Sequence, residues 1–239
     1  MSPLALLFLT LFNSVLGLSI LFPILGPLGR ALGLTEVQVG LFSTGYALMQ
    51  FLLSPYWGRR SERGRKPVLL VGILGFAASF LLFGVFALLG ERGLVPPGLL
   101  FFLLLLARLL GGAFSSATLP TAQAYVADVT GRENRTAGMA LLGAAFGLGF
   151  VVGPALGGIL GAYGARVPFY VAAGVSALNL AYGYFVLPET LSPDKRRPLD
   201  LARANPFGTF KVFQQYHGVL PLCAVMFVYF FASAVYPAI

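Results

Sequence analysis

The chain alternates long apolar stretches with short polar ones. Seven stretches are long enough to cross a membrane, since a hydrocarbon core of about 30 Å needs roughly 20 apolar residues per helix. We call them spans 1 to 7, and they cover approximately residues 4–27, 37–57, 67–89, 97–125, 137–162, 168–187 and 219–239. Span 1 lacks a preceding basic region, so we interpret it as a retained helix rather than a signal peptide. The pattern predicts an all-α integral membrane protein.

The charges confirm the membrane class and indicate an orientation. The chain is 58% hydrophobic and 10% charged, which excludes an ordinary soluble domain. Twelve basic residues follow spans 2, 4 and 6, against three after the odd-numbered spans. This positive-inside pattern places the N-terminus in the cytoplasm of a multi-pass protein of a bacterial-type inner membrane. The net charge of +8 therefore reflects topology, and we expect no nucleic-acid partner.

The longest polar segment divides the chain. Residues 1–187 form a predicted six-helix domain, 188–218 a cytoplasmic linker with a short surface helix near 207–216, and 219–239 the seventh span. We expect this seventh span to be the first helix of a second, C-terminal half that this chain does not contain.

Span 5 carries a stripe of glycines. Gly149, Gly153, Gly157 and Gly161 recur every four residues and line one helix face, with Pro154 among them. Such a stripe lets another helix approach closely in lipid. Membrane helices tolerate the proline because neighbours satisfy the freed backbone group. The sequence predicts a bent helix packed against a partner.

A faint internal repeat links two loops. Gly58 and Gly64 precede a basic pair and Pro67 after span 2, and Gly158 and Gly164 precede Arg166 and Pro168 after span 5. The two copies lie on opposite membrane faces in the predicted topology. That is the arrangement of an inverted repeat of three helices plus three.

Three segments together resemble motifs of the major facilitator superfamily. SPYWGRRSERGRKPVLLVG after span 2 is similar to motif A, RLLGGAFSSATLPTAQAYVADVTGRENR in span 4 to motif B, and GFVVGPALGG in span 5 to the antiporter motif C. The order and spacing are most similar to the tetracycline and multidrug exporters of the drug/proton antiporter branch. Motif A is one residue short and has Glu62 where Asp is usual. Asn13 stands where tetracycline exporters place an acid in span 1.

The resemblance implies roles for two groups of residues. Motif A and its partners near the end of span 4 would form a cytoplasmic gate, made of Gly58, Glu62, Arg63, Gly64, Arg65, Lys66, Asp128 and Arg135. The antiporter motif comprises Gly149, Gly153, Pro154, Gly157 and Gly158. From the residues alone we expect Gly64 to permit a tight turn. The alternative is that the basic residues only set topology.

Arg108 is the ionisable residue placed deepest in a span. It lies about 16 Å from the start of span 4 at 1.5 Å per residue, near the membrane midplane. A central arginine is costly, so we expect it to face a cavity and to bind an anionic group or lower the pKa of a carboxylate in a proton relay. Spans 1–6 supply no such carboxylate, and Asn13 cannot carry a proton. Alternatively, Arg108 snorkels to the outer surface.

Polar and aromatic residues at similar depth are candidates to line a substrate cavity. They are Asn13, Tyr46, Gln50, Ser115, Ser116, Phe146 and Phe150. Tyr46 and Gln50 share a helix face because they are four residues apart. For each of these residues, helix packing or contact with lipid is the alternative.

Enzyme chemistry finds no support in the sequence. The single histidine, His217, has no acid or cysteine at metal or triad spacing, and the glycine-rich strings follow no strand. We therefore expect no metal, no cofactor and transport driven by a gradient.

The sequence favours a secondary transporter, a proton-coupled exporter of small lipophilic or cationic compounds. Its expected partners are the lipid bilayer, a small-molecule substrate, protons, and a C-terminal half or a second copy. Two alternatives stay open: transport of a sugar or other metabolite, and a non-transporting regulatory half that binds a partner through the glycine stripe. The 239-residue chain alone is expected not to perform coupled transport.

Overall fold

The computed structural model describes residues 3–198 and 218–235, and regular structure in this part of the chain is entirely helical. Within these described residues, two short 3-10 helices occur at Arg132–Asn134 and Pro193–Lys195. The α-helices are α1 (Pro3–Ser19), α2 (Phe22–Ala31), α3 (Glu36–Ser61), α4 (Arg65–Glu91), α5 (Pro97–Ser115), α6 (Thr118–Val129), α7 (Arg135–Gly161), α8 (Val167–Val186) and α9 (Val219–Val235).

Spans 1 and 4 are each broken into two helices, where the sequence predicted continuous ones. Pro23 lies in the first turn of α2 and Pro120 in the first turn of α6. Proline has no N–H group, so each removes one backbone hydrogen bond where a single helix would have to continue. Both spans also run further than predicted, to Ala31 and Val129. Their broken halves together retain the length needed to cross a bilayer.

Five of the predicted spans meet the length and apolarity of a membrane helix. They are Leu7–Ala31, Arg65–Glu91, Pro97–Val129, Arg132–Gly161 and Val167–Val186. Helix α3 is as long but less apolar, and α9 contributes only the shorter apolar stretch Val219–Tyr229. Spans 2 and 7 therefore remain predictions. The predicted surface helix near 207–216 lies outside the described residues.

The helices pack in the pairs that an inverted repeat requires. Span 1 packs along span 5 (α7), and span 2 (α3) packs along span 4 (α5). The repeat exchanges span 1 with span 4 and span 5 with span 2, so the two pairs are counterparts. Helix α4 lies between α5 and α8.

The two ends of the bundle carry different charges. One end holds Arg59 to Lys66 together with Asp128, and we call it the charged end. At the opposite end Arg166 Nε lies 3.1 Å from Glu91 Oε2. An aromatic core that includes Phe42, Phe83 and Phe169 fills the space between.

Candidate functional site

Spans 2 and 4 meet through a cluster of polar side chains. Tyr46 Oη donates a hydrogen bond of 2.7 Å to Ser115 Oγ, and Gln50 Nε2 donates one of 3.1 Å to the same oxygen. The Arg108 guanidinium carbon lies 4.8 Å from the centroid of the Tyr46 ring. We call Tyr46, Gln50, Arg108 and Ser115 the polar cluster.

Two adjacent glycines let span 4 approach spans 2 and 3 closely. A Cβ added to Gly112 would overlap the Tyr46 carbonyl oxygen of span 2, and one added to Gly111 would lie 2.8 Å from Ser79 Oγ of span 3. At Gly112 only glycine fits such a close approach of one backbone to another. Gly112, four residues after Arg108, therefore brings Tyr46 close to the span that carries the guanidinium.

Arg108 is buried without full compensation of its polar groups. It is 6% exposed, and its Nε atom has no hydrogen-bond partner. The cation–π contact with Tyr46 is worth up to about 2 kcal/mol when desolvated, which does not replace an anionic partner. The burial rules out the alternative in which Arg108 snorkels to the surface. The Nε donor is enclosed by the described residues, and none of them accepts a hydrogen bond from it.

Several predicted cavity residues lie apart from this cluster. Ser116 is 4% exposed, and its hydroxyl donates to the Ala113 carbonyl in its own span. Phe146 packs against the apolar core of the charged end, and Phe150 stacks on Phe22 with ring centroids 6.1 Å apart. No hydrogen bond among the described residues joins the half-buried Asn13 to Arg108. Of the two serines, only Ser115 belongs to the polar cluster.

The charged end contains one ion pair that resemblance implied and lacks another. Arg65 Nε lies 2.9 Å from Asp128 Oδ2, with side chains only 11% and 22% exposed. Glu62, however, directly follows α3 and pairs at 3.2 Å with Arg59 of the last turn of that helix. Arg135 donates to the Ala127 carbonyl at 3.3 Å, so it is not the partner of motif A. Its position on the start of α7 puts it beside a carbonyl at the end of α6, where a cation is favourable.

Glu189, which the sequence analysis missed, completes this end. Its carboxylate accepts hydrogen bonds from the backbone amides of Arg65 (2.9 Å) and Lys66 (3.2 Å), the first residues of α4. An anion at a helix N-terminus is stabilised by the unpaired amides and the helix dipole. The signal available in the sequence was the acid directly after span 6, in the string PET.

Gly64 has a role different from the one expected. Its φ of 163° is extended backbone that any residue adopts, so the turn does not require glycine. A Cβ at this position would lie 3.0 Å from Glu189 Oε2. Gly64 therefore leaves room for the carboxylate that caps α4.

The segment after α8 lies across the charged end and contacts it repeatedly. Thr190 Oγ1 donates to Asp128 Oδ2 at 3.3 Å, and Tyr125 Oη donates to the Pro188 carbonyl at 3.2 Å. The Arg197 amide donates to the Glu62 carbonyl at 3.1 Å. The residues after span 6 thus belong to the same cluster as motif A.

The two remaining basic residues of motif A differ in their contacts. Lys66 Nζ donates to the Tyr184 carbonyl at 2.7 Å, whereas Arg63 is exposed.

The glycine stripe of span 5 packs against span 1 in this chain. A Cβ at Gly149 would lie 2.7 Å from Val15 Cγ1, one at Gly153 would overlap Ser19 Oγ, and one at Gly157 would overlap the Ile20 carbonyl. Ser19 Oγ also donates to the Gly149 carbonyl at 2.7 Å. We call this contact the glycine interface. The stripe is occupied, so it does not form the free binding surface that the regulatory alternative required.

Two members of the antiporter motif lie outside that contact. Pro154 is half-buried within α7, which runs unbroken from Arg135 to Gly161. Gly158 is exposed and has open space where a Cβ would lie. Close packing therefore uses the glycines at 149, 153 and 157.

Comparison with known proteins assigns the family. The profile described as Major Facilitator Superfamily matches residues 7–239. The chain belongs to the Major Facilitator Superfamily. Members of this superfamily are transporters rather than enzymes, and with its apolar helices the chain is a multi-pass membrane protein.

Individual relatives within the superfamily include drug-resistance proteins. The chain is 31% identical over 190 residues to multidrug resistance protein 2 of Bacillus subtilis (strain 168), covering 79% of the chain and 44% of that protein. It is 33% identical over 230 residues to the class C tetracycline resistance protein of Escherichia coli, covering 95% and 54%. The chain thus spans about half the length of these relatives.

A solved structure has the same fold. The crystal structure of the human organic anion transporter MFSD10 (TETRAN) matches with a TM-score of 0.65 and 28% identity, over 82% of this chain and 49% of that one. The structural match therefore extends over about half of that transporter.

The described residues contain no grouping of His, Cys, Asp and Glu suited to a metal ion. A surface cavity of about 410 Å³ lies at the charged end, lined by Leu4, Val129, Thr130, Gly138 and neighbouring residues, away from the polar cluster. The chemistry available at the candidate site is therefore that of one buried cation, hydroxyls and an amide.

Proposed function

We propose that this chain forms one wall of the translocation pathway of a proton-coupled exporter of small lipophilic or cationic compounds. The named relatives support the class, since they are tetracycline and multidrug resistance proteins at about 30% identity. The chain matches about half of their length, so the opposite wall would come from a C-terminal half or from a second copy.

The observation that carries this proposal is the state of Arg108. A buried cation with an unused Nε donor is stabilised by any carboxylate that comes within hydrogen-bond distance. Protonation of that carboxylate would weaken its pairing with Arg108. Proton binding would therefore be linked to movement of the helix that carries the carboxylate. None of the described spans supplies a carboxylate at this depth, so the proposal assigns the proton-carrying group to the opposite wall.

In this proposal the charged end is a gate on the cytoplasmic side. The excess of basic residues after even-numbered spans favours this orientation. The Arg65–Asp128 pair joins the start of span 3 to the end of span 4, and Glu189 adds span 6. A pair of this kind is partly exposed and is worth only about 1 kcal/mol, so a gate built on it opens readily.

A second substrate class, organic anions, is also favoured by Arg108. With no acid among the described residues beside it, the guanidinium would pair with a carboxylate or sulfonate of a substrate that gains access to it. In that case the substrate replaces the carboxylate of the opposite wall. No observation in the structure favours sugars.

Uptake into everted membrane vesicles tests the function and separates the substrate classes. Vesicles from cells expressing the chain alone, or the reading frame continued beyond Ile239, receive tetracycline, the cation ethidium or the anion fluorescein. We expect vesicles that contain the product of the continued reading frame to accumulate tetracycline and ethidium when the vesicle interior is acid. An ionophore that collapses the pH gradient should abolish accumulation.

Two outcomes change the conclusion. Accumulation of fluorescein alone would assign the chain to organic anions. Absence of gradient-driven accumulation of every probe, with the protein present in the membrane, would contradict the transport function.

A further inference from the structure

The break in span 4 leaves a backbone carbonyl without its helical partner. In a continuous helix the Ala117 amide would bind the Ala113 oxygen, but here it binds the Phe114 oxygen at 3.1 Å. A carbonyl inside a membrane domain needs another donor, because no water replaces the missing bond.

Trp57 of span 2 supplies that donor. Its Nε1 atom donates to the Ala113 oxygen at 2.7 Å, and Ser116 Oγ donates to the same oxygen at 2.7 Å. The two bonds occupy both lone pairs of the carbonyl. Trp57 is the only tryptophan of the chain. The Ala113 carbonyl therefore accepts one hydrogen bond from its own span and one from a neighbouring helix.

The surrounding residues fit closely around the break from two sides. A Cβ at Gly58, next to Trp57, would lie 3.9 Å from Pro120 Cβ. On the other side a Cβ at Gly72 would lie 3.0 Å from the Phe114 oxygen, and one at Gly75 would overlap the Phe114 ring. Spans 2 and 3 hold the break between them, and the Trp57 N–H is the side-chain donor from span 2 to the backbone carbonyl at the break.

We propose that Trp57 is a positioning residue that fixes the angle between α5 and α6. Helix α5 carries Arg108, and α6 carries Asp128 of the charged end. The angle at the break therefore sets how the polar cluster moves relative to the Arg65–Asp128 pair. As far as transport is concerned, this role rests on the proposed function above.

Spin-label distances across the break test the positioning role in the 239-residue chain. Cysteines placed by Leu106→Cys in α5 and Gln123→Cys in α6 are both exposed, and Cys223→Ser removes the single native thiol. Trp57→Phe keeps an aromatic ring and removes the N–H donor. We expect a narrow distance distribution for Trp57 and a broadened or shifted one for Trp57→Phe.

Amide exchange of residues 113–119 gives a second readout. Loss of one hydrogen bond to a buried carbonyl should accelerate exchange roughly 5- to 30-fold in Trp57→Phe. Tyr56→Phe is the matched control, because the Tyr56 ring lies 5.2 Å from the Trp57 ring and its hydroxyl bonds no described residue. It should leave both measurements unchanged.

Ser116→Ala keeps the test informative should Trp57→Phe fail to fold. It removes the other donor on the same oxygen and should shift both readouts in the same direction by less. Unchanged distances and exchange in Trp57→Phe, or in Ser116→Ala when that variant stands in for it, would overturn the positioning role.

Transport separates this inference from the proposed function. With the continued reading frame, Trp57→Phe should lower the maximal rate several-fold with little change in substrate KM. A broadened distance distribution in Trp57→Phe, together with no transport by the continued reading frame that retains Trp57, would contradict the transport function and leave the positioning role standing. Full transport with unchanged distances would overturn only the positioning role.

Discussion

The two helix pairs that the inverted repeat relates are built differently. At the glycine interface, span 5 contributes three glycines, and span 1 contributes its backbone around the break at Ile20 and Leu21. In the counterpart, span 4 is the broken helix and itself contributes Gly112, while span 2 contributes Tyr46, Gln50 and Trp57. Both pairs achieve close backbone contact, but the glycines that meet the partner's backbone lie on opposite partners.

That difference decides which pair carries chemistry. When the unbroken helix supplies the glycines, as α7 does, its contact face has no side chains left for polar interactions. When the broken helix supplies them, the unbroken helix α3 keeps side chains on the contact face and places Tyr46 beneath Arg108. One interface is therefore suited to packing, and its counterpart to binding charge.

The largest expected effect comes from filling the glycine interface. Gly153→Leu places a side chain where Ser19 already lies, so spans 1 and 5 must separate. We expect loss of the folded, monodisperse protein, checked by thermal unfolding and size-exclusion chromatography in detergent. Gly158→Leu is the matched control on the same helix, because that position is open. Equal stability of the two variants would contradict the packing role.

A smaller change compares the two interfaces directly. Gly157→Ala and Gly112→Ala each place a methyl group against a backbone carbonyl, of Ile20 and Tyr46 respectively. Overpacking of this kind costs about 1 to 3 kcal/mol in free energy of unfolding. We expect similar destabilisation from both, measured by denaturant titration in micelles, and loss of transport beyond the loss of folded protein only for Gly112→Ala. An equal extra loss for Gly157→Ala would show that both interfaces serve the site.

Removal of the buried charge should affect activity without lowering stability. Arg108→Ala deletes a buried cation whose Nε is unpaired, so the melting temperature should stay the same or rise. Gradient-driven uptake should fall about 10- to 150-fold, the range for loss of a hydrogen bond to a charged group of about 1.5 to 3 kcal/mol. Arg108→Lys should restore little, since an ammonium does not reproduce the planar fork. Arg92→Ala, at an exposed arginine, is the control.

The smallest effect is expected at the tyrosine hydroxyl. Tyr46→Phe keeps the ring beneath Arg108 but loses the 2.7 Å bond to Ser115. A neutral hydrogen bond contributes about 0.5 to 1.5 kcal/mol, so uptake should fall by roughly tenfold at most. Tyr46→Leu, which removes the ring as well, should reduce uptake further. The same uptake in both variants would show that the ring contact with Arg108 contributes nothing.

The sequence predicted most of what depends on neighbouring residues along the chain. The apolar stretches located the helices, and the four-residue spacing of Gly149, Gly153 and Gly157 identified a contact face, because helix periodicity is a local property. The depth of Arg108 followed from counting residues along span 4. Pro23 and Pro120 were visible signals for the breaks, but a proline in a membrane helix does not by itself distinguish a kink from an end.

Tertiary structure alone decided which partner each residue has. Glu189 lies 124 residues from Arg65, and Trp57 lies 56 residues from Ala113, so no periodicity connects them. Ser115 and Ser116 are adjacent, yet only Ser115 reaches the polar cluster, because a rotation of about 100° per residue turns Ser116 onto its own backbone. The sequence by itself determined most of the membrane helices and the glycine face of span 5. The packing of spans 2 and 4 determined which residues became the candidate site.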